Sequence, residues 1–525
     1  MVIFYKEKKK RAFNHKKKIG AALLGVVSLS LLTACHTTQN KATTNTNGEK
    51  LSIVTSFYPV YEFTKNIVGD EGEVKLLVPA GAEPHDYEPS AKDMTTISNS
   101  DVFVYHNENM ETWVNKSKAS WKKDNPKIIE GTQGLLLLPG MEEEHEHNHN
   151  HEEEGHHHDY DPHTWLSPKM AIKEVEVIEK QLKKLYPQKA KTFGTNSAKY
   201  LSKLKKLDEK FSSELKNANQ KSFVTQHAAF RYLALDYGLK QIPISGLNPD
   251  QEPSAARLAE LKKYVENNGI EYIYFENNSN NKFAKTLASE AKVKMAVLNP
   301  LESLTAKQIK EGENYVSVME ENLESLKKTT SVKGKEIKAE HSPESEKNVE
   351  NGYFSDTDVK DRSLTDYAGN WQSVYPLLQS GTLDQVFDYK SKIKGDKTPS
   401  AYKKYYAKGY ESDVSNILID SHTMTFTKNN VKHKYHYEYK GFKILNYEKG
   451  NRGVRYLFET DDNNAGEFKY VQFSDHAISP MKAAHFHIFY GSDSQEKVLE
   501  ELENWPTFYP SDLSPQEIAQ EMIAH

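Results

Sequence analysis

The chain has 525 residues, a formal net charge of −5 and a charged-residue content of 27%. At roughly 150 residues per domain, this length predicts about three structural units rather than one. The slightly negative net charge gives no basic field of the kind that favours nucleic-acid binding. The single cysteine, Cys35, excludes an internal disulfide and a thiolate-based zinc site, so any metal site must use histidine and carboxylate.

The first segment is typical of a bacterial lipoprotein signal peptide, which we place at residues 1–34. A basic stretch, Lys6–Lys18, precedes an apolar stretch, Ile19–Leu32, that is shorter than a transmembrane span of about 20 residues. The sequence Leu-Thr-Ala-Cys follows, so we expect Cys35 to be lipidated and to anchor the chain on the extracytoplasmic face of the cell membrane. A plain cleaved signal peptide is the alternative. Residues 35–50 are polar and predict a flexible tether.

Residues 51–328 alternate short apolar strands with helices, which predicts parallel βα units in an α/β fold. One charged helix, Thr195–Asn217, carries an apolar stripe and is expected to link two lobes. The last helix of this unit is predicted over Ala306–Lys327. The predicted strands are Leu51–Thr55, Val74–Val78, Val102–Tyr105 and Lys127–Ile129 in the first lobe, and Phe223–Thr225, Ile242–Ser245, Tyr272–Phe275 and Val293–Val297 in the second.

A tract of histidine and acidic residues occupies positions 142–159, after the predicted strands of the first lobe. Such a composition is typical of metal binding, and the absence of apolar periodicity predicts a mobile loop. The alternative is a solvated acidic loop that happens to be rich in histidine. We expect low-affinity zinc binding by its histidines, which are His145, His147, His149, His151, His156, His157 and His158.

The polar segment 329–351 predicts an interdomain linker, and residues 352–525 have a different texture. A helical opening, Leu364–Gln379, is followed by more helix and then by consecutive short strands with hairpin turns. This order predicts a small, mainly antiparallel β-barrel with helices. The predicted strands are Ile417–Phe426, Lys432–Tyr439, Phe442–Glu448, Gly453–Thr460, Glu467–Phe473 and His485–Phe489.

Three histidines of the α/β unit lie where predicted strands or their loops end, namely His85, His163 and His227. The carboxyl ends of parallel strands line the ligand crevice of open α/β sheets, so these positions favour a site. Spacing alone does not show that the three meet, and each histidine could instead be a hydrogen-bonded loop residue.

A second group lies in the C-terminal half. His485 and His487 are two apart and face the same side of a strand, and His476 ends the preceding strand. This pattern favours a three-histidine zinc site, with solvent-facing histidines as the alternative. His422, His433 and His436 match no ligand pattern, and we interpret them as structural.

The α/β unit resembles the ZnuA-like (cluster A-I) metal-binding lipoproteins of zinc and manganese ABC importers. The phrases that carry this resemblance are GAEPHDYEPS, DPHTWLSP, TQHAAFRYLALDYGL and VLNPLESLT. It implies a two-lobe fold in which His85, His163, His227 and the carboxylate of Glu302 converge between the lobes. Three imidazoles and one carboxylate favour zinc, whereas manganese prefers more oxygen donors.

The C-terminal unit resembles the ZinT-like periplasmic zinc-binding proteins, from about Tyr353 to His525. The phrases DRSLTDYAGNWQSVYPLLQSGTLDQVF and YVQFSDHAISPMKAAHFHIFYG carry this resemblance. It implies a calycin-like barrel with His476, His485 and His487 at one mouth. Both families joined behind a lipidation motif resemble the zinc-capturing lipoproteins of streptococci.

The expected function is capture of Zn²⁺ outside the membrane and delivery to an ABC permease, by a monomer that binds no nucleic acid. Two tight zinc ions are expected, one per domain, with an affinity that falls as pH drops through about 6.5 because the imidazoles must be deprotonated. A zinc-dependent hydrolase is one alternative, although no predicted helix carries a His-Glu-x-x-His motif and the chain has no dinucleotide fingerprint. A receptor for manganese or another metal with an adhesin role is a second alternative.

Overall fold

A computed structural model of the chain describes residues 50–118, 121, 126–140, 160–249, 252–276, 281–333, 348–349, 351–447 and 450–524. The predicted signal peptide with Cys35, nearly all of the tether, the histidine-rich loop 142–159 and most of the linker lie outside the described residues. All of the described residues belong to one compact unit. None of the helices found in the described ranges is long and apolar enough to cross a membrane.

The first lobe is a parallel sheet with helices. Its strands are β1 (Leu51–Thr55), β2 (Gly72–Leu76), β3 (Val102–Tyr105) and β4 (Lys127–Glu130), and its helices are α1 (Tyr58–Val68), α2 (Ala91–Ser98) and α3 (Trp113–Lys118). The strands lie in the order β2-β1-β3-β4, and every pair is parallel. All four residues of β3 are buried, as expected for an inner strand covered on both faces.

Two long helices follow, α4 (Pro168–Leu185) and α5 (Ala190–Leu215). The predicted linking helix is confirmed, but it begins five residues earlier than the apolar stripe suggested. Its buried side chains recur at three- and four-residue intervals and include Tyr200, Leu204, Leu207 and Phe211. Because α5 packs against α1, α4 and a helix of the second lobe, it forms the spine of the α/β unit.

The second lobe repeats the arrangement of the first. Its strands are β5 (Ser222–Thr225), β6 (Lys240–Pro243), β7 (Tyr272–Phe275) and β8 (Lys294–Val297), and its helices are α6 (Arg231–Asp236), α7 (Ala255–Asn268), α8 (Lys282–Ala291), α9 (Ala306–Glu311) and α10 (Tyr315–Thr330). The parallel order is β6-β5-β7-β8. The two-lobe α/β fold is therefore confirmed.

The single helix predicted over Ala306–Lys327 is wrong, because the chain forms two helices there. Gly312 has a φ of 81°, a left-handed conformation that ends α9 and that glycine adopts at little cost. The side chain of Asn314 then accepts hydrogen bonds from the backbone of Val316 and Ser317 and starts α10.

The C-terminal half is a nine-stranded antiparallel sheet with helices. Its strands are β9 (Gly369–Ser373), β10 (Val414–Ile419), β11 (Thr423–Lys428), β12 (Val431–His436), β13 (Glu438–Asn446), β14 (Arg452–Glu459), β15 (Tyr470–Ser474), β16 (Phe486–Gly491) and β17 (Thr507–Pro510). Its helices are α11 (Tyr375–Gln379), α12 (Asp384–Lys394), α13 (Pro399–Tyr410), α14 (Gln495–Leu499) and α15 (Pro515–Ala524).

This sheet curls into a half-barrel, which confirms the predicted mainly-β fold. The strand order is β12-β11-β10-β9-β17-β16-β15-β14-β13. The two edge strands, β12 and β13, are separated in the chain by Tyr437 alone, so the edges of the sheet must approach each other there. The enclosed core is aromatic and includes Trp371, Tyr456, Phe473 and Phe486.

Two element predictions in this half are wrong. The segment predicted as the helix Leu364–Gln379 contains β9 between a short 3₁₀ turn and α11. The predicted strand Ile417–Phe426 is a hairpin, β10 and β11, because the carboxylate of Asp420 accepts hydrogen bonds from the backbone of His422 and Thr423 and closes a turn.

The two halves pack against each other directly. A buried apolar cluster joins Leu138, Met170 and Tyr232 of the α/β unit to side chains of the C-terminal helices, such as Tyr389 and Ile518. Burial of this surface removes it from water and favours a fixed contact between the halves, even though the linker is polar.

Candidate metal centres

Four predicted ligands of the α/β unit meet at one place between the lobes. His227 follows β5 and Glu302 lies in the loop after β8, so both come from the carboxyl edge of the second sheet. His85 lies in the loop after β2, and His163 precedes a short 3₁₀ turn that leads into α4. We call His85, His163, His227 and Glu302 the N-terminal cluster; each can offer one ligand atom to the same metal ion.

The ligand atoms of the N-terminal cluster have the spacing of a tetrahedral zinc site. The Nε2 atom of His163 lies 3.2 Å from that of His85 and 3.4 Å from that of His227. The Oε1 atom of Glu302 lies 3.5, 3.6 and 3.4 Å from the Nε2 atoms of His85, His163 and His227 respectively. A tetrahedron with ligands at 2.0–2.1 Å from zinc has edges of about 3.3–3.4 Å. The residues present therefore fit a four-coordinate zinc ion.

The cluster is almost fully removed from solvent. His163 and His227 have no exposed surface, and Glu302 is 5% exposed. The side chain of His85 is the least buried of the four, at 9%. A metal ion held here would be surrounded by protein ligands on all sides.

Two carboxylates hold the imidazoles in the tautomer that a metal ion requires. The Nδ1 atom of His163 lies 2.8 Å from Oδ1 of the buried Asp161, and Nδ1 of His227 contacts Glu276. Because a carboxylate accepts a hydrogen bond, Nδ1 donates and Nε2 is left free for the metal. Such partners also raise the basicity of the ligand.

The loop that carries Glu302 is fixed by a strained residue and by Trp165. Leu301 is buried and has a φ of 56°, which residues other than glycine, asparagine and aspartate rarely adopt. The indole Nε1 of Trp165 donates to the carbonyl of Pro300 at 2.8 Å. Trp165 follows His163 by two residues, so this bond ties the loop of Glu302 to the loop of His163.

Three histidines of the C-terminal half also meet, beside the end of β15 and the start of β16. Ser474 of β15 pairs with His487 of β16, which brings His476 and His485 close to His487. The ligand atoms of these residues, which we call the C-terminal cluster, all lie within 4.8 Å of one another. The Nδ1 atom of His487 lies 2.7 Å from Oγ1 of Thr507, so Nε2 is available to a metal ion.

Both halves of the chain match known family models. Residues 53–329 match ZnuA, the periplasmic zinc-uptake complex component A, and residues 345–525 match ZinT (YodA), described as periplasmic, lipocalin-like and zinc-recruiting. The first match covers more than half of the chain. The chain belongs to the ZnuA family. This ZnuA-family chain carries a ZinT region in addition, so both predicted resemblances are confirmed, and with them a role as a zinc-binding component of zinc uptake.

Relatives of this ZnuA-family chain share the same two-part arrangement over nearly its whole length. It is 58% identical over 509 residues to the zinc-binding lipoprotein AdcA of Streptococcus pneumoniae (strain ATCC BAA-255 / R6), covering 97% of this chain and 100% of that protein. It is 55% identical over 521 residues to the zinc-binding protein AdcA of Streptococcus pyogenes serotype M3, with the same coverage. The crystal structure of Zn(II)-bound AdcA from Streptococcus pneumoniae aligns with a TM-score of 0.81 and 58% identity, covering 91% of this chain and 100% of that one.

The residues of this ZnuA-family chain that support the ligands were not predicted from its sequence. Asp161 lies two residues before His163, and Glu276 directly follows β7 at the carboxyl edge of the sheet. That strand-end position is a signal that could have identified Glu276. His106 and Glu174 form a buried ion pair of 3.4 Å near the loop of His163. No feature of the sequence indicated this pair.

The remaining predicted histidines fall elsewhere. His422 and His436 stack on each other at 5.8 Å between ring centroids and are exposed, and His433 packs against Phe468. Their interpretation as structural stays a prediction. The seven loop histidines from His145 to His158, together with Cys35, lie outside the described residues.

The electrostatics of the N-terminal cluster set up a competition between protons and zinc. Burial lowers the pKa of His227, but Glu276 and Glu302 outweigh it and hold that pKa well above its usual value. Burial lowers the pKa of His85. Burial and the charge of Glu302 raise the pKa of Glu83, whose carboxylate accepts a hydrogen bond from the backbone of His85, to about 8. The metal-free cluster therefore holds protons that zinc must displace.

We expect the zinc affinity of the N-terminal cluster to fall steeply on acidification, beginning above the usual range of histidine. His227 keeps its proton to a higher pH than an ordinary imidazole, so protons compete with zinc over that wider range. Between about pH 8 and pH 6, one displaced proton lowers the affinity by about 100-fold. Chelator competition at the two pH values, on a variant carrying His476→Ala and His487→Ala, measures this cluster alone. An equal affinity at both values would contradict the assigned ligands.

Proposed function

We propose that this chain captures Zn²⁺ outside the membrane in two tight sites and delivers it to the permease of an ABC importer. The N-terminal site is formed by His85, His163, His227 and Glu302. The C-terminal site is formed by His476, His485 and His487, with its fourth position open to water or another ligand. The observation that carries the proposal is the tetrahedral spacing of the four N-terminal ligand atoms, 3.2–3.6 Å between neighbours.

This ligand set favours zinc over manganese and binding over catalysis. Three imidazoles and one carboxylate give borderline-soft donors in a four-coordinate site, whereas manganese prefers oxygen donors and a higher coordination number. A catalytic zinc keeps an open position for water, and Glu302 fills that position in the N-terminal cluster. A non-enzymatic receptor is the role that the site and the family both support.

The domain limits, the lipid anchor and the role of the histidine-rich loop are proposed from the sequence. Residues 1–34 are a lipoprotein signal peptide, 35–50 a tether, 51–328 the α/β domain, 329–351 a linker and 352–525 the ZinT-like domain. The lipidated Cys35 anchors a monomer to the extracytoplasmic face of the membrane, and the name lipoprotein given to the Streptococcus pneumoniae relative supports this anchoring. The histidine-rich loop 142–159, which precedes His163 in the sequence, collects zinc weakly.

Growth and metal uptake under zinc limitation test the proposed function. A strain that lacks this chain is supplied with the wild type or with a variant in which His163→Ala and His487→Ala remove a ligand from each cluster. We expect wild type alone to restore growth and cellular zinc in chelator-treated medium, with manganese unchanged. A variant without residues 142–158 should take up zinc more slowly while its purified affinity stays the same. Full restoration by the two-cluster variant would refute the proposal, and a fall in manganese instead of zinc would favour the manganese alternative.

A further inference from the structure

The last helix of the chain, α15, contacts the α/β domain next to the segment that carries His163. Ile518 and Met522 of α15 lie in the buried apolar cluster with Leu138 and Tyr232. Lys392 of α12 also forms a salt bridge of 3.0 Å with Asp236 of α6, which joins the same two domains at a second place. The ZinT-like domain is therefore placed against the N-terminal domain by both apolar and polar contacts.

Gln520 of α15 makes a paired hydrogen bond to the backbone of the N-terminal domain. Its side-chain oxygen accepts from the backbone N–H of Leu137 at 2.8 Å, and its Nε2 donates to the carbonyl of the same residue at 2.6 Å. A side-chain amide can pair with both the backbone N–H and the backbone carbonyl of one residue, as a neighbouring β-strand does. This pairing fixes the position of Leu137 relative to α15.

The adjacent residue, Leu138, is hydrogen-bonded to the segment that precedes His163. The backbone N–H of Leu138 donates to the hydroxyl of Tyr232 at 2.7 Å, and this hydroxyl donates to the carbonyl of Asp161 at 2.8 Å. The N–H of Asp161 in turn donates to the carbonyl of Leu138 at 2.9 Å. Leu138, Tyr232 and Asp161 are all buried, so water cannot readily replace these bonds.

Asp161 completes the connection to the metal cluster. Its Oδ1 accepts from the backbone N–H of His163 at 3.0 Å and lies 2.8 Å from Nδ1 of the same residue. A continuous run of hydrogen bonds thus joins Gln520 of the ZinT-like domain, through Leu137, Leu138 and Tyr232, to Asp161 and the imidazole of His163.

We infer that α15 of the ZinT-like domain positions the zinc ligand His163 in the N-terminal domain, and that Gln520 is the positioning residue. This inference rests on the proposed function, because it takes the N-terminal cluster as a zinc site. A ligand held in place before the ion arrives loses less conformational freedom on binding, so the docked helix raises the zinc affinity of a site that it does not touch. By thermodynamic reciprocity, zinc in the N-terminal cluster also tightens the docking of α15.

The coupling needs no zinc in the ZinT-like domain. It therefore gives that domain an effect on zinc retention that is separate from its own three histidines. Networks of this kind change the coupling between sites by roughly 0.5–2 kcal/mol, which corresponds to roughly a 2- to 30-fold change in affinity.

The test uses the full chain with the C-terminal cluster removed by His476→Ala and His487→Ala. Gln520→Ala and Gln520→Glu are introduced into this parent, and Gln516→Ala on the same helix serves as the matched control. The Nε2 atom of Gln516 has no hydrogen-bond partner among the described residues. Zinc affinity and dissociation rate are measured by chelator competition. The visible absorption of bound Co²⁺ reports the ligand geometry, and the thermal midpoint reports folding.

We expect Gln520→Ala to weaken zinc binding roughly 2- to 30-fold, to speed dissociation and to alter the Co²⁺ spectrum, while Gln516→Ala matches the parent. Gln520→Glu keeps the length of the side chain but loses the donor to Leu137, so it should show the same changes if Gln520→Ala folds poorly. Parent-like affinity and spectrum in both Gln520 variants would overturn the inference, as would equal weakening by Gln516→Ala. A parent that binds no zinc at all would instead refute the proposed N-terminal site, and the inference with it.

Discussion

Replacing His227 with alanine is expected to reduce the tightly bound zinc from two ions per chain to one. The substitution removes one of three nitrogen donors from a site whose fourth ligand is Glu302. Loss of a partner that only supports a metal ligand typically costs 10- to 100-fold in affinity. Loss of a ligand itself should exceed this, so we expect a decrease of more than about 100-fold at the N-terminal cluster.

The same substitution should also destabilise the metal-free protein. Glu276 is 2% exposed and contacts Nδ1 of His227, so the variant leaves a buried carboxylate without this partner. Removal of one member of a buried ion pair typically costs about 3–5 kcal/mol. Adding Glu276→Gln to His227→Ala removes this buried charge, and we expect the double variant to regain stability but not zinc.

Zinc stoichiometry after dialysis against a weak chelator, together with thermal unfolding of the metal-free forms, measures both effects. His436→Ala is the matched control, because this histidine is exposed on β12 and belongs to neither cluster. Two tight zinc ions retained by His227→Ala would show that this imidazole is not a ligand. A fall in stoichiometry for His436→Ala would show that loss of any histidine produces the effect.

The sequence predicted the histidines of both clusters because local patterns marked them. His227 comes two residues after a strand of four buried residues, and parallel strands bring such positions to one edge. His485 and His487 follow the two-residue period of a strand. Glu302 had no local signal and was predicted only through the family resemblance, since its position depends on the left-handed backbone of Leu301.

Features that depend on contacts distant in sequence could not be predicted. Leu137 and Gln520 are 383 residues apart, and nothing near either one indicates their pairing.

The wrong helix prediction over residues 364–379 has a local cause. Tyr367, Trp371, Val374 and Leu378 are buried at three- and four-residue intervals, as in a helix, although Trp371 belongs to strand β9. Tertiary packing, rather than helical periodicity, buries these side chains.

Replacing Arg362 with alanine is expected to cause the largest loss of stability in the ZinT-like domain. The guanidinium is buried and donates to Asp366 at 3.0 Å, to Asp475 at 2.6 Å and to the carbonyl of Met481 at 2.7 Å. It also lies over the ring of Tyr367, 4.6 Å from the centroid. Alanine would leave the nearly buried carboxylate of Asp475 without its cationic partner, at a cost of about 3–5 kcal/mol.

The loss should extend to zinc binding, because Arg362 holds both ends of the segment that carries His476. Asp475 immediately precedes this histidine, and Met481 lies five residues after it. Without the guanidinium, the segment is free to move and His476 no longer stays beside His485. We therefore expect weaker zinc binding at the C-terminal cluster, and a thermal midpoint for this domain lowered by roughly 6–20 °C.

Thermal unfolding and zinc competition on three variants distinguish this account from a simple loss of charge. Arg362→Lys keeps the charge, but an ammonium cannot reproduce the fork that reaches two carboxylates and a carbonyl, so it should restore only part of the stability. Arg257→Ala, which removes an arginine from a more exposed pair with Glu260, should change stability by less than about 1 kcal/mol. If Arg362→Ala unfolds at the wild-type temperature, the buried pair contributes nothing net. If the variant is less stable yet binds zinc normally at the C-terminal cluster, His476 is held by other contacts, and the role of Arg362 is confined to the core of the barrel.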